Sequence, residues 1–287
     1  MDRFGDHFRF TLITNDPKLA AKADSSGINR IGLDLERVGK AERQARHDTR
    51  LSQHMTGDIA AIKESLSNAE LFVRLNPLNT GSEDEIERVL RGGAKVLMLP
   101  FFRTAAEVDA FIRLVKGRAR TMILVETAAA VVRIREILAV PGVDEVMVGL
   151  NDLRLELGVD SHFEILASPV LDMLAREVLR ARLPFSVGGV ARLDDLLLPV
   201  PPDLVLAQFP RLGATGAWIS RSFMRDMQPD WDFAGAVRAV RQRLNEWARA
   251  STQALECARD DLLERAREMV LRSKQRERIR LRVVGGR

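Results

Sequence analysis

The stretch TMILVETAAAVVRIREILAVPGVDEVMVGLNDLRLELG, residues 121–158, decides the fold. It contains two short apolar runs, residues 122–125 and 146–148, which have the length and composition of buried strands. Between the runs, apolar residues recur at helical spacing up to Val140, and Pro141-Gly142 ends that pattern. The stretch therefore predicts strand, helix and strand followed by a loop, which is the repeating unit of a parallel α/β sheet.

An acidic residue follows each strand of this stretch. Glu126 comes directly after the first strand, and Asp152 lies just past the second in a Gly-x-Asn-Asp turn. A lone acid at a strand end is more often a helix N-cap or a solvated loop residue. Ligands of parallel α/β sheets, however, bind beyond the carboxyl ends of the strands, where two neighbouring carboxylates can hold one Mg²⁺ or Mn²⁺ ion. The pair therefore predicts a metal site with Glu126 and Asp152 as ligands.

The same alternation of strands and helices extends along most of the chain. Helical patterns separate eight apolar runs, and no linker is long enough to divide them into two domains. The sequence therefore predicts a (β/α)8 TIM barrel over residues 1–230. A polar loop at residues 37–56 has a length that is usually functional or disordered. The predicted strands are residues 8–14, 30–36, 71–76, 95–99, 122–125, 146–148, 185–189 and 214–219.

From residue 233 to about residue 275 the chain becomes helical in pattern and rich in Arg, Glu and Ala. Apolar residues such as Val237, Val240 and Leu244 recur at three- and four-residue spacing. The eighth barrel helix needs only part of residues 231–287. We expect the rest of this C-terminal helical extension to pack on the outside of the barrel or on another subunit of a homo-oligomer, with residues 276–287 as a mobile charged coil.

Composition narrows the class of protein. A single cysteine, Cys257, excludes an intramolecular disulfide and fits a cytoplasmic location. The sequence shows neither a signal-peptide core nor a membrane span, so we expect no membrane partner. A net charge of +4 is compatible with nucleic-acid binding. Aromatic residues, however, make up only 5% of the chain and include no Tyr, so a surface on which bases stack is not expected.

Arg74 lies near the end of the third predicted strand, where a surface arginine is expected only at an outward-facing position. In one interpretation it forms a rim salt bridge with Asp34 or Glu36 at the end of the second strand. In the other, its planar guanidinium holds a substrate carboxylate or enolate oxygen beside the metal.

Other candidates follow strands seven and eight. Ser186, Gly188 and Gly189 let a ligand approach the backbone, or they relieve crowding where the strand enters its loop. Arg192 and Arg221 are candidates for binding a distal anionic group such as a phosphate, although exposed arginines are common.

Five motifs occur in the order seen in one superfamily. The chain resembles the hydroxy-oxo-acid aldolases and citrate lyase β subunits, which are metal-dependent barrels related to phosphoenolpyruvate/pyruvate enzymes. The resemblance covers about residues 8–226, and its most specific parts are the Val-Glu-Thr strand end and the Gly-x-Asn-Asp-Leu loop. The motifs are LDLE at 33–36, FVRLNP at 72–77, VLMLP at 96–100, ILVET at 123–127 and VGLNDL at 148–153.

This resemblance implies a site and a reaction. Glu126 and Asp152 match the ligands of Mg²⁺ or Mn²⁺, and Arg74 matches the residue that contacts the 2-oxo or enolate oxygen of the substrate. The backbone amides of Asn151 and Asp152 match the place of the substrate carboxylate, and Glu36 matches an acid that orders water or a base near the metal. The implied reaction makes or breaks a carbon–carbon bond between a 2-oxo acid and an aldehyde through an enolate, without a Schiff-base lysine.

The chain departs from both branches of that family. Arg37 occupies the position of the general-base histidine of the aldolases, where the citrate-lyase branch has an acid, and Phe101 occupies a position that is often lysine in the citrate-lyase branch. We therefore expect the base to be Glu36 acting through a water beside the metal, or His47 or His54 from the long loop.

Two histidines outside that loop are poorer candidates for the base. His7 precedes the first strand, and His162 lies beyond the strand-six loop.

Two other functions stay open from the sequence. One is a citrate-lyase-like enzyme that cleaves or hydrolyses an acyl-CoA thioester, and the other is a catalytically silent barrel whose C-terminal helix binds a partner. Three charged residues at the barrel mouth, Glu126, Asp152 and Arg74, favour an enzyme, because buried charges are costly unless a metal or substrate offsets them.

Overall fold

Eight parallel strands close into a barrel in chain order in the computed structural model, which describes residues 3–38, 53–225 and 231–284. Each strand pairs with the next, and β8 returns to β1 with Gly216 opposite Arg9. The predicted (β/α)8 barrel is confirmed, with every strand within a few residues of its expected position. The strands are β1 Arg9–Ile13, β2 Arg30–Asp34, β3 Glu70–Arg74, β4 Val96–Leu99, β5 Arg120–Val125, β6 Glu145–Val148, β7 Phe185–Val190 and β8 Gly216–Ile219.

Helices surround the barrel and extend it at the C-terminus. Among those in the described part of the chain, none is long and apolar enough to cross a membrane. A 3-10 turn spans Arg221–Met224. The helices are α1 Phe4–His7, α2 Pro17–Ser25, α3 Asp58–Ser65, α4 Ser82–Arg91, α5 Ala105–Val115, α6 Ala128–Val132, α7 Ile134–Leu138, α8 Leu150–Glu156, α9 His162–Leu166, α10 Pro169–Arg180, α11 Pro202–Leu212, α12 Phe233–Trp247 and α13 Thr252–Val284.

Side-chain caps fix where several helices begin. The Asp16 carboxylate accepts the backbone N–H of Lys18 at 2.9 Å at the start of α2, as predicted from Asp16-Pro17. Thr104 and Glu107 form a reciprocal capping box at the start of α5. These caps satisfy backbone amides that a helix leaves unpaired, so they fix the residue at which α2 and α5 begin.

Apolar side chains fill the barrel interior and the layer between sheet and helices. The interior cluster is Phe72, Val96, Met98, Met122, Leu124 and Met147, all nearly inaccessible to solvent. A filled interior leaves ligands only the ends of the barrel.

An ionic network with a buried centre, Arg30 and Glu145, lies at the amino end of the barrel, where each of its members is the first residue of a strand. Arg30 is 1% exposed and binds both carboxylate oxygens of Glu145, with Nη1 at 2.7 Å from Oε2. Its Nε lies 3.3 Å from Glu70, which also pairs with Arg120. Arg9 lies 3.6 Å from Glu145. Carboxylates and guanidiniums therefore alternate across this end, with opposite charges next to each other.

The C-terminal extension packs on the barrel of its own chain. Helix α13 lies against α11 and α9, and it buries Ala258, Leu262 and Ala266 there. This placement matches one of the two alternatives drawn from the sequence, and homo-oligomerisation stays a prediction. The expected coil is wrong for residues 276–284, which continue α13 because the segment has no Gly or Pro and is rich in good helix formers. Residues 285–287 lie outside the described residues.

Candidate active site

Arg74 ends β3 and is held in one orientation by the end of β2. Its Nε and Nη2 donate to the two oxygens of Asp34 at 2.8 and 2.6 Å, and its Nη1 lies 3.5 Å from Glu36. Burial alone lowers the pKa of the guanidinium, but Asp34 and then Glu36 and Glu126 outweigh it and raise the pKa above its usual range. Arg74 is therefore a permanent, oriented cation that also lies 5.9 Å from the ring centre of Trp218.

Glu126 directly follows β5 and is 2% exposed. Its Oε1 accepts the backbone N–H of Phe101 at 3.0 Å, and Phe101 has a left-handed backbone with φ +51°. Burial raises the pKa of Glu126 well above its usual range, and the charges of Glu36 and Asp152 raise it further, against the opposing effect of Arg74. A positive charge placed among these carboxylates would stabilise all of them.

Gly149 leaves room for the side chain of Glu126. A Cβ at position 149 would lie 2.7 Å from Oε2 of Glu126, so a larger residue would displace the carboxylate. The glycine of the Gly-x-Asn-Asp turn therefore has a packing role in addition to its place in the turn.

Asp152 is 7% exposed in the first turn of α8 and lines the same cavity as Glu126, Arg74 and Asn151. This cavity of about 280 Å³ opens at the carboxyl ends of the strands, so the structure brings together the residues that the sequence placed there. Carboxylate oxygens are the ligands that Mg²⁺ and Mn²⁺ prefer, and the donor chemistry fits the ion expected. Among the residues described, no group of three or more His, Cys, Asp or Glu could hold a metal, so a metal here would take oxygens from substrate or water as well.

Helices rather than strands form the opposite wall of the cavity. This wall was missed in the sequence, because apolar residues at helical spacing have the same pattern whether they face the core or a cavity. Its residues are His162, Phe163 and Leu166 of α9 and Val205 and Phe209 of α11. His162, judged a poorer candidate from its position, does line the cavity. Burial and then the charge of Arg154 lower the pKa of His162 to about 4.

The two glycines after β7 lie at the cavity, and the serine before them does not. Gly188 and Gly189 line it, and Gly188 has φ +57° with Leu150 2.9 Å from where its Cβ would be. Ser186 instead packs against Gly216, at the first residue of β8. The structure therefore does not support substrate binding by Ser186, because its hydroxyl lies next to the first residue of β8, toward the amino end of the barrel.

Of the expected base residues, the two that the structure describes, Glu36 and His54, do not line the cavity. Glu36 is 1% exposed and lies behind Arg74. The Nδ1 atom of His54 accepts the backbone N–H of Asp34 at 3.1 Å, so His54 positions the end of β2, and His47 lies outside the described residues. Arg37, in place of the family histidine, donates to the carbonyl of His54 at 2.9 Å.

The side chains considered for a distal anion also lie away from the cavity. Arg192 lies 3.4 Å from Asp194 and 5.2 Å from the ring centre of Trp231, and Arg221 begins the 3-10 turn. Neither arginine lines the cavity, so the structure does not support their role in binding a phosphate there.

Solved structures of similar fold include two HpcH/HpaI-type proteins and a citrate synthase. An HpcH/HpaI aldolase from Desulfitobacterium hafniense is 18% identical with a TM-score of 0.57, covering 75% of this chain and 86% of that chain. An HpcH/HpaI aldolase/citrate lyase family protein from Burkholderia cenocepacia is 17% identical with a TM-score of 0.59, covering 85% and 96%. The citrate synthase SbnG is 16% identical with a TM-score of 0.56, covering 76% and 88%.

Comparison with curated proteins finds no match. The model of one family does match, under the description HpcH/HpaI aldolase/citrate lyase, over residues 10–182. That match spans more than half of the chain and includes Arg74, Glu126 and Asp152. The chain belongs to the HpcH/HpaI aldolase/citrate lyase family.

Proposed function

We propose that this protein is a divalent-metal-dependent carbon–carbon lyase of the aldolase type, which cleaves or forms a hydroxy-2-oxo acid through a pyruvate-like enolate. The observation that carries the proposal is the buried carboxylate of Glu126, which shares a cavity with Asp152 and with the oriented guanidinium of Arg74. A carboxylate whose pKa is raised by burial and by neighbouring acids suits a bound cation, and the fixed guanidinium suits an oxyanion.

The carboxylates of Glu126 and Asp152 would hold Mg²⁺ or Mn²⁺, and Gly149 keeps the space for the first of them. When bound, the ion supplies positive charge beside the 2-oxo oxygen, where negative charge develops in the reaction. Phe101 fixes Glu126 through its backbone N–H, so the ligand has little freedom to move away.

Arg74 would contact the same developing oxyanion from the barrel side. Asp34 occupies Nε and Nη2, which fixes the plane of the guanidinium and leaves Nη1 on the side of Glu36. Because the guanidinium is already oriented, it does not have to reorient when negative charge develops on the substrate. The backbone amides of Asn151 and Asp152 would receive the substrate carboxylate, and Glu36 would act on the site through Arg74, whose Nη1 lies 3.5 Å from it.

The test is proton exchange at C3 of pyruvate in D₂O, followed by NMR with Mg²⁺ or Mn²⁺ and again with chelator. We expect metal-dependent exchange in the unmodified protein and a loss of roughly 100-fold or more in Glu126→Gln, the size of effect seen when one electrostatic contact to a transition state is removed. Glu64→Gln changes an exposed glutamate of α3 and should exchange normally.

The outcomes separate the alternatives. Metal binding without exchange would point to an acyl-CoA substrate instead. Neither metal binding nor exchange would contradict the proposal and favour a silent barrel. Circular dichroism of each variant checks that the substitutions leave the fold intact.

A further inference from the structure

The cavity has two walls of opposite character. The charged residues that line it, Arg74, Glu126 and Asp152, lie at the ends of β3 and β5 and at the start of α8. On the side formed by α9 and α11, the described lining residues include no Asp, Glu, Lys or Arg. A substrate whose 2-oxo acid half meets the charged side must therefore place its other half against the helices.

The helix wall is apolar, and buried residues of the core and of α13 pack behind it. Leu166 and Phe209 are at most 1% exposed and Val205 is 8% exposed, so they belong to the packed core and also face the cavity. Helix α13 lies on the outside of both α9 and α11, with Leu262 fully buried between them and the solvent. The wall is thus a fixed surface that an apolar group can contact without displacing any polar side chain.

His162 is the polar exception on this wall, and it carries no charge near pH 7. The geometry places it beside Phe163, with ring centres 4.0 Å apart, and the pKa of about 4 keeps the imidazole neutral. The nearby cation, Arg154, is engaged with Asn151 Oδ1 at 3.1 Å and with the carbonyl of Asp160 at 3.4 Å. A neutral imidazole can hydrogen-bond to an aldehyde oxygen but cannot neutralise an anion.

We propose that the carbonyl partner of the 2-oxo acid is an uncharged aldehyde with an apolar chain, and that the wall of Phe163, Leu166, Val205 and Phe209 selects it. This inference rests on the proposed function and adds the class of the second substrate. A carboxylate or phosphate on that chain would lose its hydration against the wall without gaining a cation. A sugar-like chain would leave its hydroxyls without partners there.

The test measures kcat/KM for condensation of pyruvate with a matched set of aldehydes, using the full chain with Mg²⁺ or Mn²⁺. Propanal and butanal differ by one methylene, and butanal and 4-oxobutanoate differ by a carboxylate. We expect butanal to exceed propanal by about 4-fold, the value of one buried methylene. Butanal should exceed 4-oxobutanoate and glyceraldehyde 3-phosphate by at least about 10-fold, because each anion is desolvated without a partner.

Two variants change the wall itself. Phe163→Arg puts a cation at a partly buried position and should shift the ratio of butanal to 4-oxobutanoate toward the anion by at least about 10-fold. Val205→Ala should move the preferred chain length upward by about one carbon. Leu271→Arg makes the same kind of change at a residue of α13 that is 61% exposed, and it should leave the ratio unaltered.

The controls distinguish failure of this inference from failure of the proposed function. Pyruvate C3 exchange without any aldehyde tests only the enolate chemistry, and its absence would overturn both. Exchange together with a preference for 4-oxobutanoate or the phosphorylated aldehyde would overturn the apolar substrate alone. Equal rates for all the aldehydes, with no response to Phe163→Arg, would also overturn it.

Discussion

The two ends of the barrel both contain buried ionic groups, but the charges are arranged in different ways. At the amino end, Glu145 is contacted by Arg30 and lies 3.6 Å from Arg9, so a carboxylate meets guanidiniums. At the carboxyl end, Glu126 shares its surroundings with Glu36 and Asp152, and its pKa rises as burial and these like charges add. One end pairs carboxylates with guanidiniums, and the other holds neighbouring carboxylates that favour an added cation.

This difference separates structure from function within one fold. Pairs of opposite charge stabilise each other without a further ligand, and those at the amino end connect the first residues of different strands. Like charges gathered in a cavity are costly to a folded protein and are found where a ligand offsets them. The active-site end of a TIM barrel is the carboxyl end of its strands, which is where the like charges lie.

The largest effect we predict tests the amino end. Glu145→Gln removes the negative charge beside a fully buried guanidinium and one of its two acceptor oxygens, so Arg30 keeps one neutral acceptor and the 3.3 Å contact to Glu70. We expect the free energy of unfolding to fall by about 3–5 kcal/mol, the usual result of breaking a buried ion pair from one side. Urea denaturation followed by circular dichroism measures it.

A surface pair supplies the control for that prediction. Glu177→Gln removes a partner of Arg135, whose side chain is 75% exposed, and the change in stability should be much smaller. Equal losses in the two variants would contradict the distinction between a buried network and surface pairs.

The second prediction tests the carboxyl end by neutralising one of its acids. Glu126→Gln in chelator should be at least as stable as the unmodified protein, because it removes one of three neighbouring carboxylates. Adding Mg²⁺ or Mn²⁺ at about 100 times its Kd should stabilise the unmodified protein by about 2.7 kcal/mol through binding alone, and it should not stabilise the variant. Thermal unfolding with and without the ion measures both effects.

The outcome that contradicts this prediction is specific to the metal site. A variant that is destabilised in chelator would show that Glu126 supports the fold, as Glu145 is expected to do. Equal stabilisation of both proteins by the ion would place the metal elsewhere.

The strands and the charged side of the cavity were predictable from the sequence because both depend on local pattern. A parallel strand buried on both faces is a continuous apolar run, and the end of such a run marks the end of the barrel that binds ligands. Glu126 and Asp152 each follow one of these runs, so their common location follows from the order of strands alone. Arg74, in the last position of β3, follows from the same reasoning.

The helix wall and the position of Ser186 were not predictable in this way. Val205 and Phe209 have the helical spacing of any core residue, and only the packing of α11 on β7 shows that they also border the cavity. The backbone between Ser186 and Gly189 is irregular in register, with φ +57° at Gly188, so alternation along β7 does not say which side chain reaches the mouth. The amino-end network likewise depends on which strands are neighbours, which the sequence does not state.

The last prediction concerns the neutral histidine of the helix wall. A pKa of about 4 for His162 means that the folded protein resists protonation there, whereas the unfolded chain takes up that proton near pH 6.5. Between those two values the unfolded state binds more protons, so acidification lowers stability by up to about 1.4 kcal/mol per pH unit from this group alone. His162→Gln should therefore show a shallower fall in the free energy of unfolding between pH 6.5 and pH 4 than the unmodified protein. Identical slopes in urea titrations would mean that the pKa of the imidazole is not lowered in the cavity, so that an anionic aldehyde would meet a cation on the helix wall below about pH 6.5.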